Sequence, residues 1–221
     1  MKILCLIPAK KNSSRLQNKN FLKLKKKHLI EWTIILAKKI KLFNEIIVSS
    51  DNKEILNLKK KYSKVNFAER PKEISKKNTK MELVIKYVLK VYKKKGKNFD
   101  ALVILQPTSP LRKKETIINA IKKFKKYKPD YLVSVNKIKH NLNPKMLFKI
   151  YNEKLQKLDI PIKYDRISPY YGLDGGVIFI FKVPKKNYKF SGKASFIKVK
   201  FPENIDIDTK EDFLLAKKFF N

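Results

Sequence analysis

Apolar and polar positions along the chain alternate between two patterns, one typical of buried strands and one typical of amphipathic helices. Residues 3–8 form a continuous apolar run that ends at a proline, as a buried parallel strand does. Residues 31–40 then place their apolar side chains at helical spacing. The alternation continues and predicts strands at 45–50, 65–68, 101–106, 131–135, 176–181 and 194–199, and helices at 53–62, 81–92, 113–127 and 211–219.

Strands that alternate with helices predict an α/β fold with a mixed, mostly parallel sheet and helices on both faces. The 221 residues suffice for a single domain, 1–221, with a modest insertion. We place the insertion at 137–169, where Asn, Pro, Lys and Tyr are frequent and a short alternating stretch at 146–151 predicts a β-hairpin. This region has the character of an arm or lid. Two cap predictions accompany the helices: Asp51 for helix 53–62, and Asp208 or Thr209 for the last helix.

Composition narrows the class of protein. A hydrophobic fraction of 43% excludes a disordered chain, and no apolar run approaches the ~18 residues that a membrane span needs. The apolar run at 3–8 is too short for the core of a signal peptide. Cys5 is the single cysteine, which excludes an internal disulfide and a multi-cysteine metal site. We therefore expect a cytoplasmic protein that does not associate with a membrane.

The charge balance is strongly basic, with 54 Lys and Arg against 19 Asp and Glu and a net charge of +35. Such a chain attracts polyanions, nucleic acid included. Arginine stands at only four positions, whereas proteins that read nucleic acid gather arginine for bidentate contacts. Dispersed lysine indicates solvated surfaces, so we expect no specific nucleic-acid partner. A basic nucleic-acid-binding protein stays as the alternative from a different functional class.

A polar, basic segment follows the first strand, where open α/β sheets bind ligands. The small side chains of Ala9, Ser13 and Ser14 leave backbone N–H groups free to approach phosphate oxygens. Arg15 and Lys19 supply positive charge. The segment lacks the spacing and the glycines of a P-loop. A triphosphate site and a solvated basic loop both fit this pattern.

The predicted strand 101–106 leads into Gln-Pro-Thr-Ser-Pro, in which two prolines fix the backbone. Gln106, Thr108 and Ser109 offer amide and hydroxyl groups to a polyhydroxylated ligand. The alternative is a rigid turn with no ligand, in which Ser109 and the following proline start the next helix.

Near the C-terminus, Asp206 and Asp208 lie two residues apart in an extended segment. They therefore share a face and lie within reach of one cation. Magnesium binding is the functional interpretation. A cap for the last helix needs only one polar side chain of this segment, so both interpretations can hold.

Together these segments resemble the acylneuraminate cytidylyltransferases, which activate sialic acid and related nine-carbon keto-acid sugars as CMP conjugates. The family's Ala-Arg-x-x-Ser-Lys-Arg-Leu-Pro-x-Lys-Asn motif is similar to residues 9–20. Its Leu-Gln-Pro-Thr-Ser-Pro-Leu-Arg stretch is intact at 105–112, and its Asp-Ile-Asp-Thr stretch at 206–209. An Arg-Pro pair at 70–71 also fits. Motifs in this order and at compatible spacing are more specific than any one of them.

The resemblance implies a fold of the nucleotide-diphospho-sugar transferase type and a reaction in which CTP and the sugar give CMP-sugar and pyrophosphate, with Mg²⁺ as cofactor. It also implies a homodimer formed through the arm at 137–169. A 3-deoxy-octulosonate cytidylyltransferase is a neighbouring alternative, although the intact stretch at 105–112 favours the nine-carbon group.

The resemblance also implies roles for particular residues. The expected catalytic residues are Arg15, Lys19 and Asp208, and the expected metal ligands are Asp206 and Asp208. The expected nucleotide site consists of Ala9, Lys10, Ser13, Ser14, Arg15, Lys19, Asn20 and Arg70, the last of them beside the base. The expected sugar site consists of Gln106, Thr108, Ser109, Arg166 and Asp174, with Arg166 as the partner of the sugar carboxylate.

The chain departs from the family pattern at several of these positions. Lys10 replaces an arginine, Ser14 a lysine and Gln17 a proline, which leaves open a degenerate homologue that binds nucleotide without turnover. Asp174-Gly175-Gly176 stands where the family carries Asn-Gly-Ala. Asp174 either binds a sugar hydroxyl or amine, or shapes the turn with Gly175. These differences suggest a sugar other than N-acetylneuraminate, of the legionaminic or pseudaminic type.

Overall fold

The computed structural model describes residues 1–11, 15–76, 78–139, 142, 147–157, 170–185 and 187–220. Its α-helices are α1 (Leu29–Lys38), α2 (Lys53–Asn57), α3 (Met81–Lys93), α4 (Lys114–Tyr127) and α5 (Lys210–Phe219), and short 3-10 helices cover Lys19–Phe21, Leu58–Lys60 and Lys72–Ile74. Its strands are β1 (Ile3–Ala9), β2 (Lys23–Leu24), β3 (Lys27–His28), β4 (Glu45–Ser50), β5 (Asn66–Glu69), β6 (Ala101–Ile104), β7 (Tyr131–Lys137), β8 (Phe148–Tyr151), β9 (Lys154–Lys157), β10 (Tyr171–Leu173), β11 (Phe179–Lys182) and β12 (Ala194–Lys198).

The central sheet confirms the predicted fold class. Its order is β10-β7-β11-β6-β1-β4-β5, with β12 added beside β7. β1 pairs in parallel with β4 and β6, and β4 pairs in parallel with β5, whereas β11 runs antiparallel between β6 and β7. The carboxyl ends of β1, β4, β5 and β6 therefore meet at one edge, where ligands bind in sheets of this kind.

Helices cover both faces of the sheet, and β1 shows how the sequence produces this arrangement. Ile3, Cys5 and Ile7 lie in one apolar cluster with α1 and α4, whereas Leu4 and Leu6 lie in a second cluster with α3. Because successive strand residues point to opposite faces, a strand covered on both sides must be apolar throughout. Cys5 is fully buried, in agreement with a packing role.

β10 and β11 are two parts of one antiparallel path along β7, separated by a bulge. Leu173 lies opposite Val135 and Phe179 lies opposite Val133, so that Ser134 alone faces residues 174–178. The Ser134 hydroxyl donates to Asp174 Oδ1 at 2.8 Å and accepts from the Ile178 N–H at 2.9 Å. The hydroxyl thereby links the first and last residues of the bulge to β7.

The predicted strand 176–181 is wrong at its start, because residues 176–178 belong to this bulge. Gly175 and Gly176 have φ angles of 87° and 143°, which a regular strand does not contain.

The C-terminal end and the cap of α2 also differ from the predictions. α2 ends at Asn57, and its cap is Asn52, whose side chain accepts from the Glu54 N–H at 2.8 Å. Asp51 is not the cap, because its carboxylate accepts instead from the Lys11 N–H at 2.7 Å. The last helix begins after Thr209, the cap that the sequence offered beside Asp208.

α5 packs through a narrow apolar face. Phe213, Ala216 and Phe219 pack with the cluster around Trp32. Leu214 is 55% exposed. It lies about 100° around the helix from Phe213, away from the side that meets this cluster.

The predicted hairpin in the arm is present. β8 and β9 pair antiparallel within 148–157. Residues 158–169 lie outside the described residues, and the role of the arm in dimerisation stays a prediction. Within the described part of the chain, no helix is both long and apolar enough to cross a membrane.

Glu31 joins the start of α1 to the segment before β5. Its buried carboxylate accepts from the His28 N–H at 2.9 Å, from Lys61 Nζ at 2.6 Å and from the Tyr62 hydroxyl at 2.8 Å. His28 Nδ1 in turn donates to the Phe21 carbonyl at 2.6 Å. His28 thereby links the start of α1 to the 3-10 helix that bears Lys19.

We predict that Glu31→Gln lowers the free energy of unfolding by about 1–3 kcal/mol at pH 7, because a charged acceptor with three donors is lost. Burial opposes ionisation, but the three donors outweigh it and lower the pKa of Glu31 from 4.5 to about 2. The stabilisation is therefore complete above pH 4.5 and is lost as the pH falls through about 2. Urea unfolding between pH 7 and pH 3 measures the difference. Exposed Glu73→Gln is the control, and an equal loss in both variants would contradict the assignment.

Candidate functional site

A cleft of about 260 Å³ lies at the carboxyl edge of the parallel strands. It brings together segments that follow β1, β5 and β6 with the segment that precedes α5. These are the places where the sequence predicted ligand contacts. The lining residues are Pro8, Lys10, Arg15, Lys19, Asn20, Arg70, Thr79, Met81, Val84, Gln106, Pro107, Thr108 and Asp208.

The lining is electropositive. Four of the lining residues are basic, namely Lys10, Arg15, Lys19 and Arg70, and Asp208 is the acidic one. A concave surface with a net positive charge raises the local concentration of anionic ligands. The cleft therefore favours an anionic ligand.

Asp208 holds two of these cations side by side. Its Oδ2 lies 2.6 Å from Arg15 Nη2, and its Oδ1 lies 2.9 Å from Lys19 Nζ. Lys19 also donates to the Ile207 carbonyl at 3.4 Å. The Arg15 side chain is 66% exposed and that of Lys19 is 19% exposed. Two cations at one point of the cleft fit the closely spaced charges of a polyphosphate.

Asp206 lies two residues before Asp208 and does not line the cleft. Its Oδ1 is buried without a hydrogen-bond partner among the described residues. Burial is the largest cause that raises the pKa of Asp206, and the charge of Asp208 adds to it, whereas Thr108, Lys19 and Arg112 lower it. A buried carboxylate oxygen without a donor, next to a second carboxylate, is the arrangement that a divalent cation stabilises. The donor set therefore fits Mg²⁺.

Asn20 and Arg70 are buried at the cleft. The Asn20 side chain donates to the Lys10 carbonyl at 2.8 Å and so fixes the start of the loop that follows β1. Arg70 donates from Nη2 to the Ser49 carbonyl at 3.0 Å. Burial lowers the pKa of Arg70 while Asp51 raises it, and a guanidinium stays protonated in such a setting. Arg70 therefore presents a fixed positive charge.

Gln106 and Thr108 line the cleft from the loop after β6, whereas Ser109 does not. The Gln106 side chain donates to the Gly175 carbonyl at 3.4 Å. The hydroxyls of Thr108 and Ser109 are buried and have no hydrogen-bond partner among the described residues. The Ile207 N–H donates to the Thr108 carbonyl at 2.8 Å, which places the two aspartates beside this loop.

The remaining predicted residues have other positions. Asp174 is 7% exposed, and its Oδ1 accepts from Ser134 and from the Gly176 and Val177 N–H groups. It shapes the turn, the second of the two roles that the sequence offered. Ala9 is fully buried at the end of β1. Ser13, Ser14 and Arg166 lie outside the described residues.

The sequence missed the contribution of α3. Thr79, Met81 and Val84 line the cleft at the start of this helix. The sheet topology offered a signal. A helix that connects two parallel strands begins near the carboxyl end of the first strand, so the start of α3, which follows β5, lies at the edge where ligands bind.

The sequence also missed Arg112, which is 4% exposed. Its guanidinium donates to the carbonyls of Gln106 at 2.7 Å, Gly176 at 3.1 Å and Val177. Burial lowers the pKa of Arg112 to about 10, so the group stays charged at neutral pH. Arg112 thus links the loop after β6 to the bulge by hydrogen bonds.

Comparison with known proteins gives the family. A profile described as Cytidylyltransferase matches residues 4–219. The chain is 30% identical to the CMP-N,N'-diacetyllegionaminic acid synthase of Legionella pneumophila, over 99% of this chain and 96% of that protein. It is 26% identical to a pseudaminic acid cytidylyltransferase of Campylobacter jejuni, over 98% and 95%. It is 31% identical to the N-acylneuraminate cytidylyltransferase of Escherichia coli, over 97% of this chain, but spans only 51% of that protein.

Solved structures agree on the fold. A CMP:2-keto-3-deoxy-manno-octonic acid synthetase complexed with CTP superposes with a TM-score of 0.67 at 15% identity, over 99% of this chain and 100% of that chain. A 4-diphosphocytidyl-2C-methyl-D-erythritol synthase gives 0.69 at 9% identity, over 98% and 97%. The fold is thus that of nucleotidyltransferases. The chain belongs to the cytidylyltransferase family, as the motifs suggested.

We predict that Arg112→Leu lowers the free energy of unfolding by about 1.5–3 kcal/mol, because hydrogen bonds from a charged donor to three carbonyls are lost. Arg15→Leu is the matched control, and its exposed ion pair contributes at most about 1 kcal/mol. Denaturant unfolding of both variants measures the difference. Equal stability of the two variants would show that Arg112 does not tie the loop to the bulge.

Proposed function

We propose that the protein transfers a cytidylyl group from CTP to a nonulosonic, sialic-acid-like sugar, with Mg²⁺ as cofactor and pyrophosphate as the second product. The observation that supports it most directly is the pairing of Arg15 and Lys19 on Asp208 in a cleft that also contains Gln106 and Thr108. Cations for a triphosphate and polar groups for a sugar thus share one site. The relatives named above act, by their names, on acylneuraminate, legionaminic acid and pseudaminic acid.

In the proposed reaction the anomeric oxygen of the sugar attacks the α-phosphorus of CTP, and the bond to pyrophosphate breaks. Negative charge then spreads over the phosphoryl oxygens and the leaving group. Arg15 and Lys19 stabilise that charge, and Asp208 keeps both cations in place. Asp206 and Asp208 would hold magnesium, which would supply positive charge against the phosphate oxygens. The residues at the site thus act by electrostatic stabilisation and form no covalent bond with the substrate.

Binding of the two substrates is assigned to different residues of the cleft. Arg70 and the start of α3 form the side proposed for the cytidine, and Gln106 with Thr108 form the side proposed for the sugar. We further propose a cytoplasmic homodimer. The support for the dimer is the family resemblance described above, which implies an interface formed through the arm that contains β8 and β9.

Pyrophosphate release tests the reaction. We expect release from CTP, and not from ATP, GTP or UTP, when Mg²⁺ and a nine-carbon keto-acid sugar are present, with the CMP-sugar identified by mass. Release with eight-carbon sugars alone would assign the octulosonate reaction instead. CTP binding without release from any sugar would support a degenerate homologue, and absence of CTP binding would overturn the proposal.

Substitution of the carboxylates tests the metal. We expect Asp206→Asn and Asp208→Asn each to weaken Mn²⁺ binding, measured by electron paramagnetic resonance, by about 10- to 100-fold, the size of effect seen when groups around a metal are altered. Exposed Glu211→Gln, in the same segment, is the matched control. Unchanged Mn²⁺ affinity in both Asp variants would exclude these residues as the metal site.

A further inference from the structure

The bulge at 174–178 approaches two site residues through glycines, where an added Cβ would displace a side chain of the site. A Cβ on Gly176 would lie 2.7 Å from Gln106 Nε2 and 3.0 Å from Gln106 Cδ. A Cβ on Gly175 would lie 2.7 Å from Asp206 Oδ2. Distances below 3.0 Å between such atoms do not occur without movement. Because neither glycine has a Cβ, the side chains of Gln106 and Asp206 can occupy the space beside them.

The backbone of Gln106 is fixed relative to this bulge. Arg112 donates to the Gln106 carbonyl at 2.7 Å and to the Gly176 carbonyl at 3.1 Å, so one guanidinium spans the two segments. The Gln106 amide itself donates to the Gly175 carbonyl at 3.4 Å. Its side chain lies between the bulge and the cleft that it lines. If the bulge side were filled, the amide would have to move from this position.

We propose that Gly176 is a positioning residue that sets sugar recognition through Gln106. The absence of a Cβ at position 176 keeps the Gln106 amide back against the bulge, and this position determines the width and the hydrogen-bonding direction of the sugar side of the cleft. The inference rests on the proposed function, because it takes the Gln106 side of the cleft as the sugar side. Gly175 has the corresponding contact with Asp206 and therefore acts on the metal side instead.

The test measures sugar and nucleotide recognition separately in the full chain. We expect Gly176→Ala to raise the KM for the sugar by about tenfold or more, since small misplacements of a positioning group have effects of this size. The dissociation constant of CTP, measured by calorimetry without sugar, should stay within about twofold. Gly96→Ala is the matched control, because Gly96 also has a positive φ, 69°, but a Cβ added there would meet nothing within 4 Å.

A double-mutant cycle shows whether the effect passes through Gln106. Gln106→Ala removes the atoms that a Cβ at 176 would meet, so adding Gly176→Ala to this variant should change the sugar KM no further. Additive effects of the two substitutions would overturn the inference and indicate backbone strain at φ 143° instead. If Gly176→Ala alone does not fold, restored folding in the double variant supports the contact, and failure to restore it counts against the inference.

The outcome also separates this inference from the proposed function. If Gly176→Ala turns over substrate at the wild-type rate and its KM for the sugar is unchanged, the proposed function stands and only the role of Gly176 is overturned. If the wild-type chain releases no pyrophosphate with any sugar, the proposed function fails and the inference falls with it.

Discussion

The site depends on one buried cation. Arg112 lies under the cleft with its guanidinium surrounded by backbone carbonyls of the loop after β6 and of the bulge. A charge removed from water is costly unless hydrogen bonds replace its hydration. The two segments must therefore stay together for the cation to remain satisfied. This requirement fixes the distance between Gln106 and Gly176, and the contact between their atoms follows from it.

The large net charge of the chain and the charge of the cleft have different consequences. Most of the lysines lie on solvated surfaces, where they create a diffuse field that salt screens. In the cleft, Lys19 is largely shielded from solvent and is held by Asp208, so its charge has a fixed position. Fixed charges in a partly dry site stabilise a developing negative charge better than mobile ones. The proposed function therefore depends on the few cations that the fold holds in place.

Much of the site could be predicted from the sequence because parallel strands bring distant motifs to one edge. The segments around Lys19, Gln106 and Asp208 meet there, although they lie far apart in the chain. The bulge could not be predicted, because it depends on the Ser134 hydroxyl, which lies 40 residues before Asp174. Local spacing alone predicted strand for residues 176–178. Arg112 was missed because its partners are carbonyls, which have no signature in a sequence.

Adjacent glycines of the same bulge contact the two halves of the site. Gly175 faces Asp206 and Gly176 faces Gln106, so a movement of the bulge would shift the proposed metal side and the proposed sugar side together. Transfer to phosphorus requires the attacking oxygen and the phosphate to be aligned within a narrow distance. A single rigid element that contacts both sides holds that alignment better than two independent loops. Ser134 and Arg112 make the bulge rigid from within, which explains why these buried polar groups are located beneath it.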